Sequence, residues 1–568
     1  MMRKIRTALF TALAVALCAS GAFAYEVNEV YAEHGMVASA HELASKAGVE
    51  IMQKGGNAID AAVATALALN VTEFNASGIG GGGFMTIRFA KTGEVVCLDY
   101  REMAPASATK DMFASEQAKK ENWSAYGGKS VGVPGWLKGM EFALRKYGTM
   151  SFAEVAAPAI KLAEEGFVFH AKQTDIVADN YEHLVKFNDP KDLPYLSGDL
   201  PFEAGKVFKQ PALGALFRLI AKEGTDVFYG GPVAEAIVKA VNRTGGKMTV
   251  EDLKNYRMHV RKPVEGTYRG YHIYSVPPAS SGGTHVIQLL NIMENFDVKA
   301  LGHNTLAFAK VFNPACRLIF ADRSKYMADS DFARLPLAGL QSKEYAKLLA
   351  DQIKANAVPE KPEAGDPWKY EAAPKAAHVG GLGSERQSTS SFSVVDQAGN
   401  IVTSTNTINY YMGSSVFVPE YGFLLNDQMD DFSSNPASVN APEPGKRPLS
   451  SMSPTIVLDP EGRAFMSIGA AGSARIITAV AQIIMCVIDH GYEMDQSIEF
   501  GRIHNQSGYS VRMDTDRLDK TFVDSLLASG YRAVEGNVGT PQGILFDHAK
   551  NRLNGGAYSR GLGVPVGF

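Results

Sequence analysis

The run Ser388-Thr389-Ser390-Ser391-Phe392-Ser393-Val394-Val395-Asp396 is rich in hydroxyls and turns into an apolar strand. A threonine hydroxyl is a poor nucleophile until a base takes its proton. At a new N-terminus it carries that base itself. An α-amine titrates near about 7.7–8.0, close to the pH at which a general base must work. Cleavage between Ser388 and Thr389 would make Thr389 a nucleophile for acyl transfer, and the chain a self-cleaving precursor.

The elements around Thr389 suit that role. Residues 390–396 and 401–408 read as two strands joined by the tight turn Gln397-Ala398-Gly399-Asn400. Upstream, residues 357–387 hold four prolines, many charges and the glycines Gly380, Gly381 and Gly383, and read as a mobile or extended tether. Helical periodicity is expected over 41–54, over an alanine-rich 57–69, near 134–146, 152–165, 211–222, 232–243, 305–320 and 344–356, and from 473 to 489. Strands are expected over 84–90, 95–100, 268–276, 455–458 and 464–468. Strand pairs with helices on either side imply sheets covered by helices.

The chain has 568 residues, 46% hydrophobic and 20% charged, with a net charge of −4. Length alone allows three or four domains. The absence of a basic cluster argues against nucleic acid as a partner. Arg3, Lys4 and Arg6, the apolar run 8–17 and Ala22-Phe23-Ala24 read as a secretory signal over 1–24, cleaved after Ala24. Cys18 follows the bulky Leu17, which disfavours lipidation. The apolar run 476–488 is short and interrupted by Thr478 and Gln482, so it reads as a buried helix, and no stable membrane anchor is expected. Cys97, Cys316 and Cys486 lie far apart in apolar surroundings and read as buried thiols. No spacing of Cys or His suggests a metal.

Two motifs mislead. Gly78-Ile79-Gly80-Gly81-Gly82-Gly83 fits G-x-G-x-x-G, but a helix precedes it and a strand follows, the reverse of a dinucleotide site. It reads as a turn where backbone approaches closely. Gly128-Lys129-Ser130-Val131-Gly132 fits G-x-S-x-G, yet no apolar strand leads into it, so Ser130 reads as structural.

Several longer segments agree with one another. Thr389 to Asp396 resembles the nucleophile segment of the γ-glutamyltranspeptidase family. Leu425-Asn426-Asp427-Gln428-Met429-Asp430-Asp431-Phe432 is similar to its substrate-binding segment, and Lys446-Arg447-Pro448-Leu449-Ser450-Ser451-Met452-Ser453-Pro454-Thr455 is close to its consensus. Tyr100 to Pro105, Gly55 to Ala62, Ser77 to Met85, Ser280-Ser281-Gly282-Gly283 and Phe320-Ala321-Asp322-Arg323 match in the family order. The resemblance implies an α+β fold, the four-layer αββα sandwich of the N-terminal-nucleophile hydrolases. It implies a large chain of residues 25–388 and a small chain of residues 389–568, intertwined in one catalytic domain.

A γ-glutamyl group carries a free α-carboxylate and a free α-ammonium, so its recognition calls for a cation and an anion placed apart. The resemblance gives Arg101 to the carboxylate, with hydroxyls from Ser450 and Ser451, and Asp431 to the ammonium, helped by Asn409 and Gln428. It implies that Thr407 bonds to the nucleophile and that the N–H groups of Gly472 and Ser473 form the oxyanion hole, provided Ser473 keeps a negative φ. The implied donors are glutathione and similar γ-glutamyl compounds, and the acceptors are water, amino acids or peptides, with no cofactor. The expected setting is the periplasm or the medium.

Three departures from the family pattern stand out. Ser390 and Ser391 replace the usual Thr and His, Ser473 replaces a glycine, and the segment between Asp431 and Ser450 is too short for a full lid over the pocket. An open cleft that admits bulky donors, with hydrolysis competing with transfer, is expected. The alternatives are an acylase for glutaryl amides such as cephalosporin-type β-lactams, and an inactive secreted binding homologue.

Overall fold

The computed structural model describes residues 30–372, 374–383 and 388–568. The signal segment expected over 1–24 lies outside the described residues. Two seven-stranded antiparallel sheets stack face to face. One runs Pro565–Gly567, Met36–Ser39, Ser390–Val395, Ile401–Thr407, Gly82–Arg88, Val95–Asp99, His259–Arg261. The other runs Val30–Ala32, Arg552–Ala557, Thr540–Asp547, Ala464–Ala471, Thr455–Leu458, Tyr271–Ser275, Val264–Tyr268. Helices Glu42–Gln53 and Ala58–Thr72 cover the outer face of the first sheet, and Gly282–Met293 and Arg475–His490 that of the second, with Leu306–Tyr326 packed on Gly282–Met293. This is the αββα sandwich.

Both sheets take strands from either side of Thr389, so the chain does not divide into the three or four domains that length allows. Ser390–Val395 lies between Met36–Ser39 and Ile401–Thr407. All six of its residues are buried, because the sheet is covered on both faces. The same cover explains Ala58–Thr72, which is buried at every position. Asn57 starts this helix with a capping box to Asp60, and small side chains let it pack tightly.

The glycine run does what a close approach demands. A Cβ on Gly81 would stand 2.0 Å from the Thr407 carbonyl oxygen, so only glycine lets the turn pass the end of that strand. Between the sheets, Gly469 faces Ser391, whose Oγ would lie 2.3 Å from an added Cβ. Ser130 ends a single 3₁₀ turn, and its hydroxyl donates to the Gly127 carbonyl at 2.8 Å. Cys97, Cys316 and Cys486 are buried free thiols. Among the described residues no helix is long and apolar enough to cross a membrane.

The tether is extended, as its composition suggests, but it is anchored rather than mobile. Trp368 is buried in a short turn over Pro367–Tyr370. The Tyr326 hydroxyl donates to the Gly365 carbonyl at 2.6 Å, and the Gly381 N–H to that of Ser324 at 3.0 Å. Val379 accepts from the Val439 N–H at 2.9 Å. Buried aromatic surface and backbone bonds outweigh the loop-like composition. Residues 384–387 lie outside the described residues. A small three-stranded sheet, Ile503–His504, Ser510–Met513 and Arg532–Glu535, has no counterpart in the sequence reading.

Candidate active site

Strand register brings the hydroxyls together. Ser390 pairs with Asn406, so the next residues out, Thr389 and Thr407, meet at the end of the ladder. Their Oγ1 atoms are 3.1 Å apart. Thr407 Oγ1 also accepts the Asn409 N–H at 2.8 Å, which pins its side chain. Thr389 has φ +111°, a strained conformation for a β-branched residue, at the junction with Ser388. Ser388 is buried, and its hydroxyl has no hydrogen-bond partner.

Thr389 and Thr407 line a recess together with Arg101, Asp431, Ser450 and Ser451. Asn409, Gln428 and Ser473 line it too. Gly472 is buried directly beyond the strand Ala464–Ala471. The helix Arg475–His490 begins two residues after Ser473, so its positive end lies at the recess, with Ile476 in the wall. Leu382 and Gly383, from the segment before the junction, cover part of the recess. Of the residues between Asp431 and Ser450 only Leu449 reaches the wall, so the cover comes from the tether and not from a lid.

Two expectations need correction. Arg101 and Asp431 are not held apart: Arg101 Nη2 donates directly to Asp431 Oδ2. Arg101 is 1% exposed, and an unpaired guanidinium at that depth would be costly. Its Nε donates to the Pro448 carbonyl at 3.2 Å, and Nη2 also reaches that of Leu449 at 3.3 Å. Ser473 is the second correction. It has φ +58°, in the left-handed region, beside Gly472 at +131°. The turn from strand into helix demands positive φ at both positions, and Ser473 adopts it at a cost.

The acidic groups are tuned by burial. Burial raises the Asp431 carboxyl to about 6, against the opposing pull of Arg101. Asp427, also buried, is held well above the usual carboxylate range. Glu102 is fully buried, neither oxygen has a hydrogen-bond partner, and its pKa is pushed up to about 8. Gln428 Nε2 donates to Asp431 Oδ2 at 2.7 Å, while its Oε1 is buried without a partner. Asn409 Nδ2 donates to the Asp427 carbonyl at 3.1 Å rather than to Asp431.

One charged pocket residue carries no role in the sequence reading. Arg323 lines the recess and donates to Ser451 Oγ at 2.7 Å and to Ser281 Oγ at 2.8 Å. It lies on the helix Leu306–Tyr326, and the available signal was its place in the quoted Phe320–Arg323 motif.

The gamma-glutamyltranspeptidase family model matches residues 44–568. The chain belongs to that family. It is 39% identical over 542 residues to the glutathione hydrolase proenzyme of Bacillus subtilis (strain 168), covering 94% of this chain and 91% of the relative. It is 41% identical over 491 residues to the glutathione hydrolase proenzyme of Escherichia coli (strain K12), covering 84% and 82%. Among solved structures, the cephalosporin acylase from Bacillus halodurans superposes with a TM-score of 0.84 at 26% identity, covering 97% of this chain and 98% of that one. The match takes in every recess residue discussed above and every strand of the two large sheets except Val30–Ala32 and Met36–Ser39.

Proposed function

We propose that this member of the gamma-glutamyltranspeptidase family is a γ-glutamyltransferase and glutathione hydrolase that works from a self-made N-terminal Thr389. The observation that carries the reading is the meeting of Thr389 and Thr407 in one recess with Arg101 and Asp431.

The uncut chain prepares its own cleavage. Thr389 Oγ1 attacks the Ser388 carbonyl carbon, the Ser388–Thr389 C–N bond breaks, and the nitrogen gains a proton. Water then hydrolyses the resulting ester. Relief of the positive φ, worth about 1–3 kcal/mol, favours the step. The products are a large chain ending at Ser388 and a small chain starting at Thr389, which stay interleaved because both sheets contain strands of each.

In the cut enzyme, Thr389 Oγ1 attacks the γ-amide carbonyl and its proton passes to the Thr389 amine. Thr407 orients the nucleophile. The oxyanion takes the N–H groups of Gly472 and Ser473, which present their donors from a turn at positive φ in place of the negative φ expected for Ser473. The amine then gives its proton to the leaving nitrogen, and a γ-glutamyl ester remains on Thr389. Water, or the amine of an amino acid or peptide, attacks this ester and frees Thr389. Arg101, Ser450 and Ser451 hold the donor's α-carboxylate. Asp431 and Gln428 hold its ammonium, with Asn409 supporting them through Asp427. An N-terminal signal exports the chain to the periplasm or the medium.

A denaturing gel with N-terminal sequencing tests the precursor step. Two bands are expected, the smaller beginning with Thr. A single band that persists on incubation sinks the reading. Glutaryl-amide acylase activity is the second reading, favoured by the full-length likeness to a cephalosporin acylase. Comparing kcat/KM for γ-glutamyl-p-nitroanilide and a glutaryl amide decides between them, with the γ-glutamyl donor expected to be the faster.

A further inference from the structure

The carboxylate side of the recess is braced from behind by a charged network. The Ser281 N–H and its Oγ both donate to the Ser450 carbonyl, at 2.8 and 2.7 Å. Ser281 Oγ accepts from Arg323 Nε at 2.8 Å, and Arg323 Nη2 donates to Ser451 Oγ at 2.7 Å. Ser450 Oγ accepts the Met452 N–H at 3.1 Å. Arg323 is 4% exposed.

A serine hydroxyl can donate or accept, and which it does depends on its neighbours. Here each of the two pocket hydroxyls already accepts an N–H from behind. Each therefore keeps its own proton for a partner in the recess. A pair of hydroxyls with free protons suits an anion, and with one lone pair of each oxygen already used it is a poorer seat for a ligand that offers only donors. An arginine cannot lose its proton in the working range, so this polarity holds across pH. Its planar fork also bridges Ser281 and Ser451 at once, which the single ammonium of a lysine does less well.

We infer that Arg323 is a positioning residue for donor recognition: it acts through Ser281 and Ser451 to fix the Ser450–Ser451 pair as a two-donor seat for the donor's carboxylate. The inference rests on the donor-site reading proposed above and assigns a purpose to the Ser280–Gly283 and Phe320–Arg323 motifs. It makes Arg323 a determinant of specificity for acyl groups that carry a carboxylate.

The test uses the processed enzyme and two donors that differ in one group. γ-Glutamyl-p-nitroanilide has both α-groups, whereas 4-aminobutyryl-p-nitroanilide keeps the amine and lacks the carboxylate. Arg323→Gln is expected to raise KM for the first about tenfold or more, with kcat within about threefold, because the seat binds ground and transition states alike. KM for the second donor is expected to stay unchanged. On a Ser451→Ala background, Arg323→Gln is expected to add little, the non-additivity of residues that act together. Arg323→Lys is expected to keep most of the defect.

An equal rise in KM for both donors, full additivity with Ser451→Ala, or full rescue by Lys overturns the inference. If Ser451→Ala raises KM for the carboxylate donor and Arg323→Gln does not, this inference alone falls. If Ser451→Ala itself has no effect, the donor-site reading falls with it. Should Arg323→Gln remain uncut, Ser281→Ala, a smaller change, carries the same comparison with a smaller rise expected.

Discussion

The guanidinium of Arg101 donates to the carboxylate of Asp431, so the two charges that a γ-glutamyl donor calls for satisfy each other in the recess. A donor that binds there must exchange partners. In the proposed binding mode its carboxylate takes Arg101 while its ammonium takes Asp431. Pairing makes the site affordable to bury, because either charge left alone would face a desolvation cost with nothing to offset it.

Removing one partner is therefore expected to harm the fold more than removing both. Arg101→Met should destabilise the protein by about 3–5 kcal/mol, and the double variant with Asp431→Leu should recover most of that loss. Both should lose γ-glutamyl hydrolysis. Chemical denaturation of the single and double variants measures the coupling. Equal stability of the two would show that the pair is not coupled.

Asp431 also predicts a pH dependence. With its carboxyl raised to about 6, it holds a substrate ammonium well only above that pH. KM for γ-glutamyl-p-nitroanilide should climb as pH falls through 6. A glutaryl amide, which lacks the amine, should show no such rise. For the fold the sign is opposite. The raised carboxyl contributes stability that is fully present below 3.8 and lost as pH rises through about 6. Parallel KM profiles for the two donors would remove Asp431 from ammonium recognition.

The Thr389–Thr407 contact predicts a shared defect. Thr389→Ala should neither cut nor turn over. Thr407→Val keeps the branched shape and loses the hydroxyl, so both cleavage and turnover should slow by about ten- to a hundredfold. Band conversion on a gel and a rate assay on the cut fraction report the two separately. Normal cleavage with slowed turnover would confine Thr407 to the second reaction.

The positive φ at Gly472 and Ser473 predicts opposite responses to substitution. Ser473→Gly relieves a left-handed serine, and its effect on stability should lie between neutral and about 1 kcal/mol favourable, with kcat retained. Gly472→Ala puts a Cβ 3.1 Å from Gly539 Cα at φ +131°. If that displaces one oxyanion donor, kcat should fall about a hundred- to a thousandfold. Unchanged kcat in Gly472→Ala would place the oxyanion elsewhere.

Much of the fold was legible because its signals are local. Asn57 and Asp60 cap a helix within one turn, Gly399 closes a hairpin, and the glycines at 80–83 announce close backbone approach. The tether misled for the same reason. Its prolines and charges describe a loop, while its anchoring depends on Ser324, Tyr326 and Val439, far away or across the junction. Ser473 misled because residue type does not report φ.

The sequence by itself determined which groups are available: a threonine behind a cleavable junction, one acid and one arginine suited to an amino-acid-shaped donor, and a pair of serines. Only the tertiary structure decided how they are joined. Arg101 meets Asp431 across a separation of 330 residues, and Arg323 meets Ser451 across 128. Such pairings follow from sheet stacking and from the need to compensate buried charge, and neither leaves a periodic or local trace in the chain.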